Sequence, residues 1–410
     1  MRSILLFVLL GVSSSFHWLT ATSDLTAVAE AEPLVIDKDV IPAANQFFKY
    51  EKYVKGKKLG LVVNQTSMVG DVHLIDDLLK RDCAVQKIFA PEHGFRGTAD
   101  AGEKIKNGVD GETGLPIVSL YGKNKKPKAS DLAGLDLIIF DIQDVGARFY
   151  TYTSTMTYIM EACAENNIPL LILDRPNPNG HFVDGPILEA TQKSFIGMHP
   201  VPIVHGLTTA EYARMINGEK WLANGVQCQL YHVECLNYNH QKFYELPVAP
   251  SPNLPNMKSI YLYPSLCLLE GTNGVSIGRG TTKQFQVIGH PAAKGDYQFT
   301  PIPRAGAKHP KQEGNLCQGQ DFSKQSIDKL QAQTQLNLDY LLDMYQQLPA
   351  AEQADFFRKD NFFDLLAGNT QLQQQIKDKK SSAEIRQSWQ PALDEYRLLR
   401  KKYLLYKDFE

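Results

Sequence analysis

"KLGLVVNQTSMVGDVHLIDDLLKRDCAVQKIFAP", from Lys58 to Pro91, is the stretch on which the fold turns. It holds an apolar run, then "LIDDLLKR" (Leu74 to Arg81) with helical spacing, then a second apolar run, "VQKIFAP" (Val85 to Pro91). Strand, helix and strand in so short a length read as a βαβ unit, because parallel strands need a crossover and a helix supplies it. The pattern continues downstream. "PIVSLY" (Pro116 to Tyr121) and "LDLIIFDI" (Leu135 to Ile142) read as further strands, a helix is expected from Phe149 to Asn166, and "IPLLILD" (Ile168 to Asp174) comes after it as another strand. These runs are rich in Ile, Leu and Val without alternation, so helices are expected on both faces of the sheet.

The expected fold class is therefore α/β, with a Rossmann-like, largely parallel sheet domain over residues 36–205. From Gly206 the character changes. "TTAE" (Thr208 to Glu211) is a capping box that opens a helix, and "VQCQLYHVECL" (Val226 to Leu236) alternates as a half-buried strand. "PVAPSPNLPN" (Pro247 to Asn256) leads into a Tyr- and Leu-rich helix that ends in "EGTNGVSIGRGT" (Glu270 to Thr281). The last third is helical and rich in Gln and Lys, and its terminal amphipathic segment is expected to pack on the protein. Residues 206–410 are thus read as a smaller α+β domain.

Ahead of both domains, Arg2 and the apolar run Ile4 to Val12 have the form of an export signal over residues 1–23, with a linker at 24–35. No later run is long enough to span a bilayer, so export to the periplasm is the expectation. A formal net charge of −2 offers no basic excess for nucleic acid. The six cysteines lack any CxxC pair, which argues against zinc and a redox motif. Cys163 and Cys267 read as buried thiols, while Cys228 and Cys235 are spaced so that pairing is open. "QTSMVGD" after the first strand lacks G-x-G-x-x-G, so no nucleotide cofactor is expected.

Ligands of open α/β sheets bind beyond the carboxyl ends of the strands. Those ends carry Asn64 and Gln65, Glu92 and His93, Tyr121, then Asp141, Gln143 and Asp144, then Asp174, Arg175 and Asn177. Each has a plainer use as a cap or an ion-pair partner, yet together they suggest one polar rim. Glu92 lies between a strand-ending proline and a glycine turn, where a carboxylate has little packing purpose. Glu270 is expected at a helix C-terminus, where an unpaired negative charge is disfavoured. Arg279 stands between two glycines that let the backbone approach a ligand. Acids, arginines, amides and aromatics such as Phe95, Phe149, Tyr150 and Tyr152, without a metal or cofactor motif, suit sugar chemistry, in which one carboxyl protonates the leaving oxygen.

"APEHGFRG", "GLPIVSLYG", "FDIQDVGARFYTY", "DRPNPNG", "PSPNLPN", "LLEGTNGVSIGRGT" and "FFDLLAG" occur in this order. With these motifs the chain resembles the exo-β-N-acetylmuramidase family, long catalogued as a domain of unknown function, from about residue 36 to the C-terminus. The resemblance implies a C-terminal domain that closes a cleft on the Rossmann-like domain. It also implies an enzyme that releases terminal N-acetylmuramic acid from the non-reducing end of peptidoglycan fragments. The glutamate of "PEHG", Glu92, is the implied catalytic acid/base. His93, Asp144 and Glu270 join it as catalytic candidates. Asn64, Arg96, Tyr121, Asp141, Gln143, Arg148, Tyr150, Asn177 and Arg279 are expected to contact the sugar. Arg279, Arg148 and Arg96, in that order, are the candidates for its lactyl carboxylate. No metal or cofactor is implied. Ile277 departs from the family pattern, which often has an acid before "GRGT", and is the one feature favouring a protein that binds without cleaving.

Overall fold

After a first helix, α1 (Phe47–Val54), the Lys58–Pro91 unit is built as its sequence dictates. Strand β1 (Lys58–Val63) runs through a small hairpin, β2 (Met68–Val69) and β3 (Val72–His73), into α2 (Leu74–Lys80) and returns as β4 (Ala84–Ala90), parallel to β1. The structure is a computed structural model that describes residues 39–91, 95, 108–122 and 124–410. Strands β5 (Gly108–Val109), β6 (Pro116–Ser119), β7 (Leu137–Asp141), β8 (Leu170–Leu173) and β9 (Leu230–Val233) complete a sheet of order β5-β6-β4-β1-β7-β8-β9. Every pairing is parallel except β5 with β6.

The absence of alternation in these strands has the expected cause. Val62, Phe89, Ile138, Phe140 and Ile172 belong to one buried cluster, while Leu61, Val63, Ile88, Ile139 and Leu171 belong to another. Successive side chains of a strand point to opposite faces, so both faces are buried. Burying each such side chain contributes about 1.5–3 kcal/mol. Gly60 lets the two central neighbours close over β1, since a Cβ there would lie 2.7 Å from Ile138 Cδ1 and 2.9 Å from Phe89 Cε2.

Short α3 (Ala129–Leu132) precedes β7, and α4 (Tyr152–Glu165) joins β7 to β8. The latter helix begins three residues later than its sequence suggests. Residues 146–151 are held out of the helix because Gly146 adopts φ +76° and the Arg148 amide donates to Ile203 O at 2.7 Å. Helix α5 (Thr209–Gly218) opens on the expected box, in which the Glu211 carboxylate accepts from the Thr208 amide at 2.9 Å.

Helix α6 (Met257–Leu266) is capped by Asn256 and runs into a 3₁₀ turn, Cys267–Gly271. Beyond it lie an antiparallel sheet of β10 (Val287–His290), β11 (Tyr297–Phe299) and β12 (Cys317–Asp321), in the order β10-β12-β11. The remaining helices are α7 (Ile327–Gln331), α8 (Asp339–Gln347), α9 (Ala350–Ala354), α10 (Phe362–Ala367), α11 (Gln371–Lys377) and α12 (Ser382–Lys401). As expected, α12 packs on the protein, burying Ile385, Trp389, Leu393 and Tyr396. Among the described residues no helix is long and apolar enough to cross a membrane.

A boundary at 205/206 does not separate the large sheet from the C-terminal half. Strand β9 comes from beyond it and extends the sheet in register, with Leu170 opposite Leu230. Residues 39–410 form one compact unit. All six cysteines are buried and unpaired; Cys235 is not joined to Cys228 but donates its thiol to Asp174 O at 3.3 Å.

Candidate functional site

Of the polar strand ends, those after β1, β7 and β8 are tied together by hydrogen bonds, and much of that rim faces inward. Where parallel strands leave a sheet their backbone groups lose ladder partners, and buried ones must find others. Asn64 is fully buried, accepts from the Thr66 amide at 2.9 Å and donates to the Tyr152 hydroxyl at 2.9 Å. Asp141, also fully buried, takes Arg175 in a fork at 2.6 and 2.9 Å. Gln143 donates to the carbonyls of Asp144 and Pro176 at 2.8 and 2.7 Å. Asn177 donates to Leu207 O at 2.9 Å and accepts from the Asn179 amide.

Arg148 departs furthest from its expected place. It is 1% exposed, and its guanidinium donates to four carbonyls, those of Pro186, Val201, Leu366 and Ala367, at 2.7–2.9 Å. Burial pushes its pKa down to about 10. These five residues are thus corrected from sugar contacts to an internal plate that fixes the strand ends. Tyr121, half-buried beyond β6, does not line the large cavity of the molecule.

That cavity has a volume of about 840 Å³, within the usual range for small-molecule sites. One wall is aromatic. Phe149 and Tyr150 meet Tyr263 edge-on at centroid distances of 5.3 and 5.8 Å, and Tyr263 meets Phe285 at 5.0 Å. The Tyr150 hydroxyl is fixed on Pro250 O at 2.9 Å. The same cavity is also lined by charged residues: Glu270, Arg279, Lys308, Lys311 and Arg358. Of the expected residues, then, Tyr150, Glu270 and Arg279 line one cavity.

Glu270 sits in the 3₁₀ turn that ends α6, and it is paired. Its Oε1 accepts from Arg279 Nε at 2.5 Å, and Lys311 Nζ lies 3.8 Å from its Oε2. Burial alone would raise its carboxyl, but Arg279 and Lys311 outweigh burial and hold it below the usual glutamate range. A carboxylate so held is a poor proton donor, so of the roles open to a catalytic candidate Glu270 is suited to orienting Arg279 rather than to acting as the acid. The Arg279 guanidinium also lies over the Phe285 ring, 5.1 Å from its centroid. No described residue accepts from its two terminal nitrogens. Arg358, in contrast, is engaged with Asp360.

Asp144 lies just past β7 and is 8% exposed. Its Oδ1 accepts from the Gly146 amide at 2.7 Å, while its buried Oδ2 has no hydrogen-bond partner among the described residues. Burial pushes this carboxyl up to about 7, against the lowering effect of the Gly146 and Val145 amides. It is the one catalytic candidate among the described residues that can carry a proton near neutrality. Glu92, His93 and Arg96 lie outside the described residues, as do 1–38 with the expected signal and linker.

Sequence reasoning missed Lys308, Lys311 and Arg358, which come from the stretches "AGAKHPK" (Ala305 to Lys311) and "FFRKD" (Phe356 to Asp360). Basic residues beside Gly306 and Pro310 were the available signal. Ile277 is 2% exposed within the main apolar core and does not line the cavity, so it says nothing about cleavage.

Comparison with known proteins shows the family to which the chain is similar. The model "Exo-beta-N-acetylmuramidase NamZ, N-terminal" matches residues 59–258, and its C-terminal counterpart matches 261–406. The first therefore takes in β9. A curated relative, peptidoglycan beta-N-acetylmuramidase NamZ of Bacillus subtilis (strain 168), is 38% identical over 377 residues, covering 87% of this chain and 89% of its own. A crystal structure of a DUF1343 family protein from Bacteroides fragilis NCTC 9343 is 48% identical with a TM-score of 0.83, covering 90% of this chain and 100% of that one. A second from the same organism is 29% identical with a TM-score of 0.74, covering 90% and 99%.

Proposed function

The chain belongs to the exo-β-N-acetylmuramidase NamZ family and is a glycosidase of peptidoglycan; from that premise we propose how its residues serve the reaction. The substrate is a peptidoglycan fragment with N-acetylmuramic acid at its non-reducing end, and the bond cleaved is the one that holds this terminal sugar. The observation that carries the reading is Arg279. It is oriented through Nε by Glu270, rests on Phe285, and keeps both terminal nitrogens for the cavity. Muramic acid differs from glucosamine by a lactyl ether ending in a carboxylate, and a guanidinium edge binds a carboxylate through two parallel hydrogen bonds. The aromatic residues lining the same cavity suit the apolar face of a sugar ring.

Glu92 is the proposed general acid/base. It comes just after β4, whose neighbour β1 lies beside β7, the strand that leads to Asp144. His93 adjoins it as an orienting neighbour, and Arg96 is a further cation for the same substrate. Asp144 is the proposed second carboxyl. Asp144 does not itself line the cavity but lies five residues before the lining Phe149, and its unpartnered oxygen and raised pKa are the properties that a proton donor to the 2-acetamido group of the sugar needs. Export to the periplasm is proposed from the apolar run Ile4 to Val12.

Turnover of a chromogenic N-acetylmuramide tests the reading. The native protein should release the chromophore, and Glu92→Gln should turn over at least ~100-fold more slowly, the lower range for loss of a general acid. No release by the native protein, with the substrate intact, sinks the activity; an undiminished Gln variant removes Glu92 from the mechanism.

A further inference from the structure

Lys311 lies outside every helix and strand, on the segment that forms one wall of the cavity. Its ammonium donates to the carbonyls of Leu269, Glu270 and Thr272 at 3.1, 2.8 and 2.7 Å. An ammonium has three N–H donors, so none is left for a substrate. The three carbonyls belong to the end of the 3₁₀ turn that carries Glu270. Carbonyls at such an end lack helical partners and bear partial negative charge. A glutamate placed there is repelled unless a cation neutralises both it and the turn. Lys311 does both, since its Nζ also lies 3.8 Å from Glu270 Oε2. Burial pushes the Lys311 pKa down, and the nearby Glu270 carboxylate only partly offsets this.

The segment bearing Lys311 is itself anchored. Asn253 donates to Gly306 O at 2.7 Å, and Gln312 donates to Gly274 O at 2.8 Å. The Lys311 head is therefore held in place, and its partner in the cavity wall is Glu270. Glu270 in turn fixes Arg279 by its Nε.

We propose that Lys311 is a positioning residue that sets sugar specificity. Through its grip on the 3₁₀ turn it fixes Glu270, and so aims the free edge of Arg279 at the lactyl carboxylate. The consequence is preference for N-acetylmuramic acid over N-acetylglucosamine. This inference rests on the muramidase reading of the cavity, but its test measures binding, so the two can fail separately.

The experiment is calorimetric titration of the full chain with N-acetylmuramic acid and with N-acetylglucosamine. The native protein should favour the first by about tenfold or more, the free-energy scale of one charge-assisted pair. Lys311→Met should bring that ratio near one by weakening the muramic acid alone, and Lys311→Arg should restore part of it. Glu270→Gln should collapse the same ratio, and adding Lys311→Met to it should change little further, because the two act in series. A ratio unchanged in Lys311→Met, an equal loss for both sugars, or additive effects of the two substitutions would each overturn the proposal. If Lys311→Met does not fold, Glu270→Gln decides: an intact ratio there overturns it as well. Native protein that binds muramic acid selectively but cleaves no muramide would instead sink the hydrolase reading.

Discussion

Arg148 and Arg279 have the same side chain and opposite uses. The first has no carboxylate partner among the described residues and satisfies four buried carbonyls, two on each side of the junction between residues 186–201 and 366–367. The second spends one nitrogen on Glu270 and keeps an edge for the cavity. The two glycines flanking Arg279 in "IGRGT" favoured it as the ligand-facing arginine, but that Arg148 in "DVGARFY" turns inward was not legible, because it depends on which carbonyls the fold brings near. Replacing Arg148 by Met removes the buried charge but strands those four acceptors. Each buried unsatisfied group costs about 1–3 kcal/mol, so Arg148→Met is expected to lose at least ~3 kcal/mol in urea unfolding. A midpoint equal to that of the native protein would show that water or relaxation replaces the arginine.

At the scale of elements, the strands were legible because a strand buried on both faces is an unbroken apolar run. Their polar ends were legible as a group, but not their direction. Asp141 and Asp144 are three residues apart, yet one is forked by Arg175 and the other has a free buried oxygen. The glycine-rich segment shows how two elements make one wall. Gly280 has φ +79°, and a Cβ there would lie 2.7 Å from Pro310 Cγ and 2.8 Å from Ile302 O. Ile302 also donates its amide to Gly280 O at 3.0 Å. Gly280→Ala must strain the backbone and push the Ile302–Lys311 segment outward. The expected result is a loss of about 1–3 kcal/mol of stability, with a raised KM for the muramide. Steady-state kinetics and a thermal melt would check both, and an unchanged KM would detach this segment from the site.

At the scale of the molecule, the last residues of the chain close over the large sheet. Tyr406 donates to Asp174 Oδ2 at 2.6 Å, the Leu405 amide to Glu211 Oε1 at 2.9 Å, and Arg400 Nη1 to both carboxylate oxygens of Asp408 at 2.9 and 2.8 Å. Burial pushes Asp174 up to about 7, against the Tyr406 hydroxyl and the Ala210 amide that favour its charge. Unfolded, an aspartate titrates near ~3.9. The folded state thus holds a proton that the unfolded state releases. Its stabilising contribution is complete below about 4 and is lost as pH rises through about 7. Asp174→Asn keeps an acceptor for Ala210 and cannot ionise. Its melting temperature relative to the native protein should therefore rise between pH 5 and pH 8, and a flat difference would mean that Asp174 is ionised throughout.

Local pattern alone, periodicity for the parallel sheet and α12 and the "TTAE" motif for the capping box at Thr208, was enough, because each depends on neighbours a few residues apart. Motif order was enough for the family. The cavity wall of Glu270, Arg279 and Lys311, the inward turn of Arg148 and the continuation of the sheet into β9 depended on tertiary structure. Each joins residues distant in the chain, and whether a polar group serves the protein or a ligand depends on which partners reach it first.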